Sequence, residues 1–361
     1  MQENQYRHIL VLDRSGIGDL VMLIPLLKTI KTALPESVLS LAVNDYQLPI
    51  AKSLERVVDE VNSTKAQISI PQKIADVLYS IGYVRKSGAD VLIAAAGGYR
   101  NSLTSLMSGA QVRVNPHNGS DRPFADLAYT HNIHPALMHC VDRNLSILSG
   151  LGLAPGEINF DFGIPDEIAE AAKKIADQYG IGDGPAIGVN PLSGQPWKNW
   201  PSDNMLSTVK MLSHDLKYKV VIFGKGTSAP ITDKNIVDLR GKTGLLIDAY
   251  LQRYSGLLSL VIGVDTGLMH IAGSVNSDSE GSYDNVSGNR TLSLFGPTEP
   301  TRYAPYDPTH RFNIVIHSDV ADIVRNHVGY LANGKTARYM NRITPKMVLD
   351  KVEYLRSIKA A

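Results

Sequence analysis

The chain has 361 residues, enough for two domains of ordinary size, and its 43% hydrophobic and 20% charged content is that of a globular protein with real cores. A formal net charge of +1 argues against a nucleic-acid binder that relies on bulk electrostatics, and a single cysteine, Cys140, excludes an internal disulfide. No run approaches the roughly 18 apolar residues of a spanning helix, and the early apolar run Leu20 to Leu27 is interrupted by Pro25 and lacks the basic flank of a signal peptide, so a cytoplasmic protein is expected.

In chain order, His8 to Asp13 predicts a strand, and the turn Arg14-Ser15-Gly16-Ile17-Gly18 leads into a helix from Asp19 to about Ala33. Leu20, Leu23, Ile24, Leu27 and Ile30 share one face of that helix at helical spacing. Strands are predicted at Val38–Val43, Val57–Val61 and Val91–Ala95, and helices near Ile74–Lys86, Ser102–Ser108 and Met138–Gly150. The alternation then begins again. Helix Ile168–Gln178, strand Ala186–Asn190, helix Ser202–Leu212 capped by Ser202, strand Lys219–Phe223 and helix Leu245–Tyr254 precede a buried strand over Leu257–Val264. Later come a strand ending at Phe295, another at Asn313–Ile316 and a last helix at Pro345–Ile358. Strands alternating with helices argue for an α/β chain of two doubly wound units with parallel sheets, joined near residues 155–180. The segment Ser274 to Asn289, rich in Ser, Asn, Asp and Gly, is expected to be a surface loop on the side of the sheet away from the strand tips.

The most telling stretch is Gly263-Val264-Asp265-Thr266-Gly267-Leu268-Met269-His270. A strand that turns into a helix here aims unpaired N–H groups and the positive end of the helix dipole at whatever lies above the strand end, which is a seat for an anion such as phosphate. Asp265 and Thr266 can hydrogen-bond at that seat. His270, four residues after Thr266, shares its helix face, although a core histidine is the plainer alternative. The strand tip Gly296-Pro297-Thr298 should open beside it, because ligands of parallel α/β sheets bind at the carboxyl ends of strands. Lys198, on the loop Pro191 to Pro201, can reach a phosphate as a point charge, with Ser193 adding donors; a solvated lysine is the alternative. Gly224-Lys225-Gly226-Thr227 suits close approach to a nucleotide or is a plain turn.

Arg14 to Asp19 superficially suggests a dinucleotide fingerprint. Val21 stands where its third glycine belongs, and Asp19 puts a carboxylate where a pyrophosphate would sit. Asp19 is therefore either a helix cap or a general base at the mouth of a cleft, with Asp13 the competing carboxylate. No His/Cys/Asp cluster has metal-ligand spacing, so neither a metal nor a cofactor is expected.

With Ile9 to Asp19, Pro25-Leu26-Leu27, Lys198-Asn199-Trp200-Pro201, Gly263 to His270 and Leu294 to Thr298 in this order, the chain resembles the bacterial heptosyltransferase-type glycosyltransferases (glycosyltransferase family 9). The resemblance covers most of the chain. It implies a GT-B architecture of two facing Rossmann-like domains with mainly parallel sheets: residues 1–162 on the acceptor side and 163–340 for the nucleotide-sugar, with a helix over 341–361 packing back on the first domain. It implies inverting, metal-independent transfer of a sugar, most often heptose from ADP-heptose, to a hydroxyl of a glycan or glycolipid such as the lipopolysaccharide core. Peripheral contact with the inner membrane and no nucleic-acid partner go with that reading. On matching positions Asp19 is the catalytic base, and Ser193, Lys198, Gly224, Asp265, Thr266, Gly267, His270, Gly296, Pro297 and Thr298 belong to the donor site. Arg14, Ser15, Gly16 and Gly18 lie on the acceptor side. After the glycine-rich tip at Gly224 no acidic residue follows until Asp233, a departure from the family pattern. The competing readings are a GT-B-fold nucleotide-sugar epimerase or hydrolase, a non-catalytic nucleotide-sugar-binding subunit and, more distantly, an NAD-dependent oxidoreductase.

Overall fold

The computed structural model describes residues 6–64, 70–95, 98–116, 125–133, 138–226, 230–276, 290–318 and 337–359. The chain divides into two compact units, Met1–Gly163 and Ile164–Ala361, with the segment from Asn276 to Asp278 counted in the first.

The first unit carries β1 (His8–Asp13), α1 (Ile17–Ala33), β2 (Val38–Asn44), α2 (Leu48–Lys52), β3 (Glu60–Thr64), α3 (Ile70–Ser87), β4 (Val91–Ala94), α4 (Tyr99–Leu106), β5 (Val112–Pro116), α5 (Ala125–Ala128), β6 (His131–Ile133) and α6 (Cys140–Leu145). Its six strands form one parallel sheet in the order β3-β2-β1-β4-β5-β6. Ile9 to Leu12 are fully buried, as strands sandwiched between helix layers require. Helix α1 starts two residues before the expected Asp19 and buries every residue from Leu20 to Leu27, with Pro25 among them.

Several expected elements shift, each for a local reason. The strand expected at Val57–Val61 lies at Glu60–Thr64, because Val57 and Val58 turn back to bond the Leu54 carbonyl after α2 and Val58 is buried there. Strands β5 and β6 escape pattern reading: they are short, and Arg113, Asn115, His131 and Asn132 interrupt any apolar run. The helix expected at Met138–Gly150 is α6 followed by a 3-10 turn over Ser146–Leu151, and the His139 ring caps its start by accepting from the Val141 N–H.

The second unit repeats the plan with α7 (Asp166–Tyr179), β7 (Ala186–Asn190), α8 (Ser202–His214), β8 (Lys219–Ile222), β9 (Ile236–Asp238), α9 (Leu245–Ala249), β10 (Leu260–Val264), α10 (Gly267–Gly273), β11 (Thr291–Phe295), α11 (Pro300–Tyr303), β12 (Asn313–His317), α12 (Ala337–Met340) and α13 (Pro345–Lys359). The sheet order β12-β11-β10-β7-β8-β9 is again parallel throughout. Counted within its own unit, it is the same 3-2-1-4-5-6 succession as the first, the Rossmann order. Ser202 does not cap α8: Pro201 occupies the cap and Ser202 is the first helical residue. The helix expected over Leu245–Tyr254 continues past α9 as a π turn over Tyr250–Tyr254. Helix α13 is grouped with the second unit: Val348, Leu349 and Val352 join Trp200, Met205 and Val209 in its core, and the Trp200 indole N–H donates to the Ile343 carbonyl at 3.0 Å.

Of the segment Ser274–Asn289, residues 277–289 lie outside the described residues, and with them the expected surface loop. Asn276 accepts from the Phe160 N–H at 2.8 Å and donates to Asp161 at 2.9 Å. Among the described residues no helix is long and apolar enough to cross a membrane.

Candidate active site

In a 3-2-1-4-5-6 sheet, successive connections leave strand 1 and strand 4 in opposite directions, so a crevice opens between their carboxyl ends. Each unit places its chemically notable residues at this point: Asp13 to Asp19 follow β1 in the first, and Asn190 to Lys198 and Asp265 to His270 follow β7 and β10 in the second.

In the first unit the two candidate carboxylates differ sharply. Asp13 is 2% exposed and saturated: it accepts from the Ser15 N–H at 3.1 Å, from the Ser15 hydroxyl, and from Gln47 Nε2 at 2.8 Å. Burial, with the nearby Asp19 charge adding to it, pushes its pKa up to about 6. The same Gln47 amide donates to the Gly16 carbonyl and accepts from the Asn44 N–H, and the Tyr46 hydroxyl donates to the Ser15 carbonyl. These bonds lock the loop that carries Arg14, Ser15 and Gly16 against the tip of β2. Asp19, half-exposed in the first turn of α1 together with Gly18, accepts from the Gly16 N–H at 2.9 Å through Oδ2. Among the described residues Oδ1 accepts no hydrogen bond. One oxygen caps the helix and the other stays available, so cap and base are compatible rather than rival roles. The Gly16 N–H, which a pyrophosphate would need, is taken by the Asp19 carboxylate.

In the second unit, Lys198 ends a 3-10 turn over Pro196–Lys198 and places Nζ 2.6 Å from Asp265 Oδ2 and 5.1 Å from the centroid of the Trp197 ring. His270 Nε2 stands 4.0 Å from Asp265 Oδ1, and both side chains are buried. Lys198, Asp265 and His270 are thus one cluster. Thr266 is the extended cap residue of α10 without a side-chain cap bond, and Gly267 opens the helix, which leaves first-turn N–H groups to an anion. Gly263 permits this crowding. A Cβ there would lie 2.6 Å from Met269 Sδ and 2.9 Å from the Asn190 carbonyl oxygen.

Around this cluster the tips of neighbouring strands supply the rest. After β11, the Gly296 carbonyl accepts from His317 Nε2 at 3.0 Å, while Pro297 and Thr298 are half-exposed and the Thr298 hydroxyl has no hydrogen-bond partner among the described residues. On the β7 loop Ser193 is turned inward: its N–H donates to Asn199 Oδ1 at 2.7 Å and its hydroxyl accepts from the Gln195 N–H. After β8, Gly224 adopts φ +106° and its N–H donates to the Asp248 carboxyl. Thr227 lies outside the described residues. Asp233, the first acid after this tip, is engaged by His214 Nε2 at 2.8 Å and by the Asn235 N–H.

Three groups at these tips carry no sequence signature. Asn190, which pairs with Gly263 through β7 and β10, donates to Gln252 Oε1 at 2.6 Å across 62 residues. Asp248, buried in α9, accepts from Thr243 and Gly224, and burial pushes it up to about 7. Gln47 is invisible as a ligand of Asp13 because 34 residues separate them. Among the described residues no group of three His, Cys, Asp or Glu side chains is placed to hold a metal ion.

With this geometry in hand, comparison with known proteins gives a consistent result. The chain matches the profile of glycosyltransferase family 9 (heptosyltransferase) over residues 81–328. It is 23% identical over 314 residues to lipopolysaccharide heptosyltransferase 3 of Escherichia coli (strain K12), which covers 80% of this chain and 82% of that protein. Among solved structures it is similar to a family 9 glycosyl transferase from Veillonella parvula DSM 2008, with a TM-score of 0.70, 20% identity and 98% of each chain covered. It is similar also to the ADP-heptose lps heptosyltransferase II of E. coli, with a TM-score of 0.68, 19% identity and 98% and 100% of the two chains covered.

Proposed function

Because the chain belongs to glycosyltransferase family 9, we propose that it moves a heptose from ADP-heptose to a hydroxyl of a lipopolysaccharide-type core, with inversion and without a metal. The donor E. coli heptosyltransferase named above supports the choice of nucleotide-sugar. The observation that carries the reading is the Lys198–Asp265–His270 cluster at the open start of α10, at the crossover point of the second sheet.

In this reading the second unit binds the donor. The diphosphate meets Lys198 and the first N–H groups of α10, while Asp265 turns to a sugar hydroxyl. The first unit, with the loop Arg14–Gly18, takes the acceptor. As the acceptor oxygen forms its bond to the anomeric carbon, its proton passes to Asp19 Oδ1, and the carbon–oxygen bond to the diphosphate breaks with its electron pair going to the departing ADP. A single displacement by one oxygen inverts the anomeric centre and needs one base. Negative charge grows on the diphosphate in the transition state, where Lys198 and the helix start stabilise it. Asp13, already saturated with hydrogen bonds, holds the loop instead.

The test is Asp19→Asn beside Lys198→Ala. Asp19→Asn is expected to lower kcat by about 10²–10⁴-fold and to leave ADP affinity, measured by calorimetry, unchanged. Lys198→Ala is expected to weaken ADP binding. Near-normal transfer by Asp19→Asn would show that the proton goes elsewhere.

A further inference from the structure

The second unit buries three arginines among its described residues, and two of them are satisfied. Arg240 forms an ion pair with Asp238 at 2.7 Å, and Arg253 donates to the carbonyls of Ile271 and Ser274. Arg302 is the exception. It lies in α11, on the connection that leaves the tip of β11, and only 8% of it is exposed. Its Nε is buried without a hydrogen-bond partner, and no carboxylate pairs with its guanidinium among the described residues. The contact it does make is with the Tyr303 ring, whose centroid is 5.4 Å from Cζ. A ring contact steadies a cation without supplying the oxygen acceptors that the N–H fork of arginine is built for.

A buried charge is costly unless a counter-ion and hydrogen bonds offset it. The acids closest in the chain are already committed. Glu299 caps α11, accepting from the Thr301 N–H at 3.2 Å and from its hydroxyl at 2.9 Å. Asp307 receives the N–H groups of Thr309, Phe312 and Asn313. The Thr298 hydroxyl, four residues before Arg302, is likewise buried and without a partner among the described residues. Two donors on one short connection therefore lack an acceptor, at the carboxyl end of a strand, where ligands of parallel sheets bind.

The charge at the neighbouring tip points to the kind of acceptor. Strand β11 pairs with β10, so this connection leaves the sheet beside the turn that carries Asp265. There the Lys198 ammonium is neutralised by Asp265, and a doubly charged diphosphate would find no net positive charge in that pair. Arg302 supplies one, on a fork that matches a phosphate oxyanion.

We propose that Arg302, with the Thr298 hydroxyl, forms a second seat for a phosphate group at the tip of β11. The proposal rests on the reading of the second unit as the nucleotide-sugar side. The phosphate belongs either to the diphosphate of the donor or to a separate phosphorylated group, and the two give different titrations.

The test is titration calorimetry of the full chain with ADP and with inorganic phosphate, for wild type, Arg302→Met and Arg302→Lys, beside thermal melts without ligand. Arg302→Met keeps the bulk of the side chain and removes the charge. Its ligand-free melt is expected at or above that of wild type, since the uncompensated cation is gone. A donor diphosphate held by Arg302 gives ADP binding weakened about tenfold or more in Arg302→Met. A separate phosphorylated group gives unchanged ADP binding, together with a phosphate site that wild type shows at saturating ADP and Arg302→Met lacks. Arg302→Lys, which keeps the charge but not the fork, is expected to weaken the same ligand less, and it carries the test if Arg302→Met does not fold. Equal binding of both ligands by wild type and variant, or a loss of binding that comes only with a lowered ligand-free melt, would overturn the proposal. If wild type binds no ADP, the donor reading fails, and the phosphate titration alone scores the seat.

Discussion

In the proposed reaction Lys198 would meet an incoming diphosphate as one half of an ion pair, not as a bare cation. Its ammonium is 2.6 Å from Asp265 Oδ2 in a spot where both side chains are mostly shielded from water. Phosphate must therefore displace a carboxylate, and part of the Coulomb gain is offset by the pair that is broken. In the proposed reaction that competition would weaken retention of the product nucleotide once the sugar has left. Asp265→Asn removes the rival charge and is expected to tighten ADP binding severalfold, about 1 kcal/mol, while lowering transfer because a sugar contact is lost. Calorimetric titration with ADP decides it: weaker ADP binding by the variant would mean that Asp265 supports the diphosphate rather than competing with it. The same residue-scale logic separates Asp13 from Asp19. Two aspartates six positions apart on either side of one turn are separated by burial and by the hydrogen-bond saturation of the first.

At the scale of elements, α9 and the tip of β8 are joined by one buried carboxyl. Asp248 accepts from Thr243 and from the Gly224 N–H, and burial pushes its pKa up to about 7 from 3.8. Between about pH 4 and pH 7 the folded protein holds a proton that the unfolded chain has lost, so the stability from this group is full below pH 4 and is lost as pH rises through 7. Asp13, raised to about 6, acts in the same sense over a slightly lower window. Asp248→Asn stays neutral at every pH. Urea denaturation at pH 5 and pH 8 is expected to show a smaller loss of stability in the variant than in wild type, by on the order of 1–3 kcal/mol. Equal losses would show that Asp248 ionises normally in the folded protein. Because Asp248 holds Gly224 at φ +106°, the element it steadies is also the one expected beside the nucleotide.

On the scale of the whole molecule, the chain is two copies of one topology with different side chains at their crossover points. The first sheet ends in carboxylates and amides at its crossover point, and the second ends in a lysine, a histidine and an open helix start. Ligand binding to the native state stabilises whichever unit holds the ligand, by about 2.7 kcal/mol at a hundredfold excess over Kd. ADP alone is therefore expected to slow amide exchange at the tips of β7, β8, β10 and β11 and to leave the tips of β1 and β2 nearly unchanged. Exchange mass spectrometry with and without ADP reads this directly. Protection concentrated around Arg14 to Asp19 would reverse the assignment of donor and acceptor units.

Alternating apolar strands and amphipathic helices made the two parallel α/β units legible from residues alone, because burial on both faces of a parallel strand demands an unbroken apolar run, and β1, β7 and β10 have one. The turn motifs at Asp19, Lys198 and Thr266 were legible for a similar reason, since a strand end followed at once by a helix start is a local event. Short edge strands such as β6, where His131 is exposed and Asn132 half-buried, offered no such run. The pairing of Lys198 with Asp265, the Asn190–Gln252 bond and the saturation of Asp13 by Gln47 join residues 34 to 67 positions apart. Contacts at that separation depend on strand order and register, which no window of sequence contains, and so they emerged only from the folded chain.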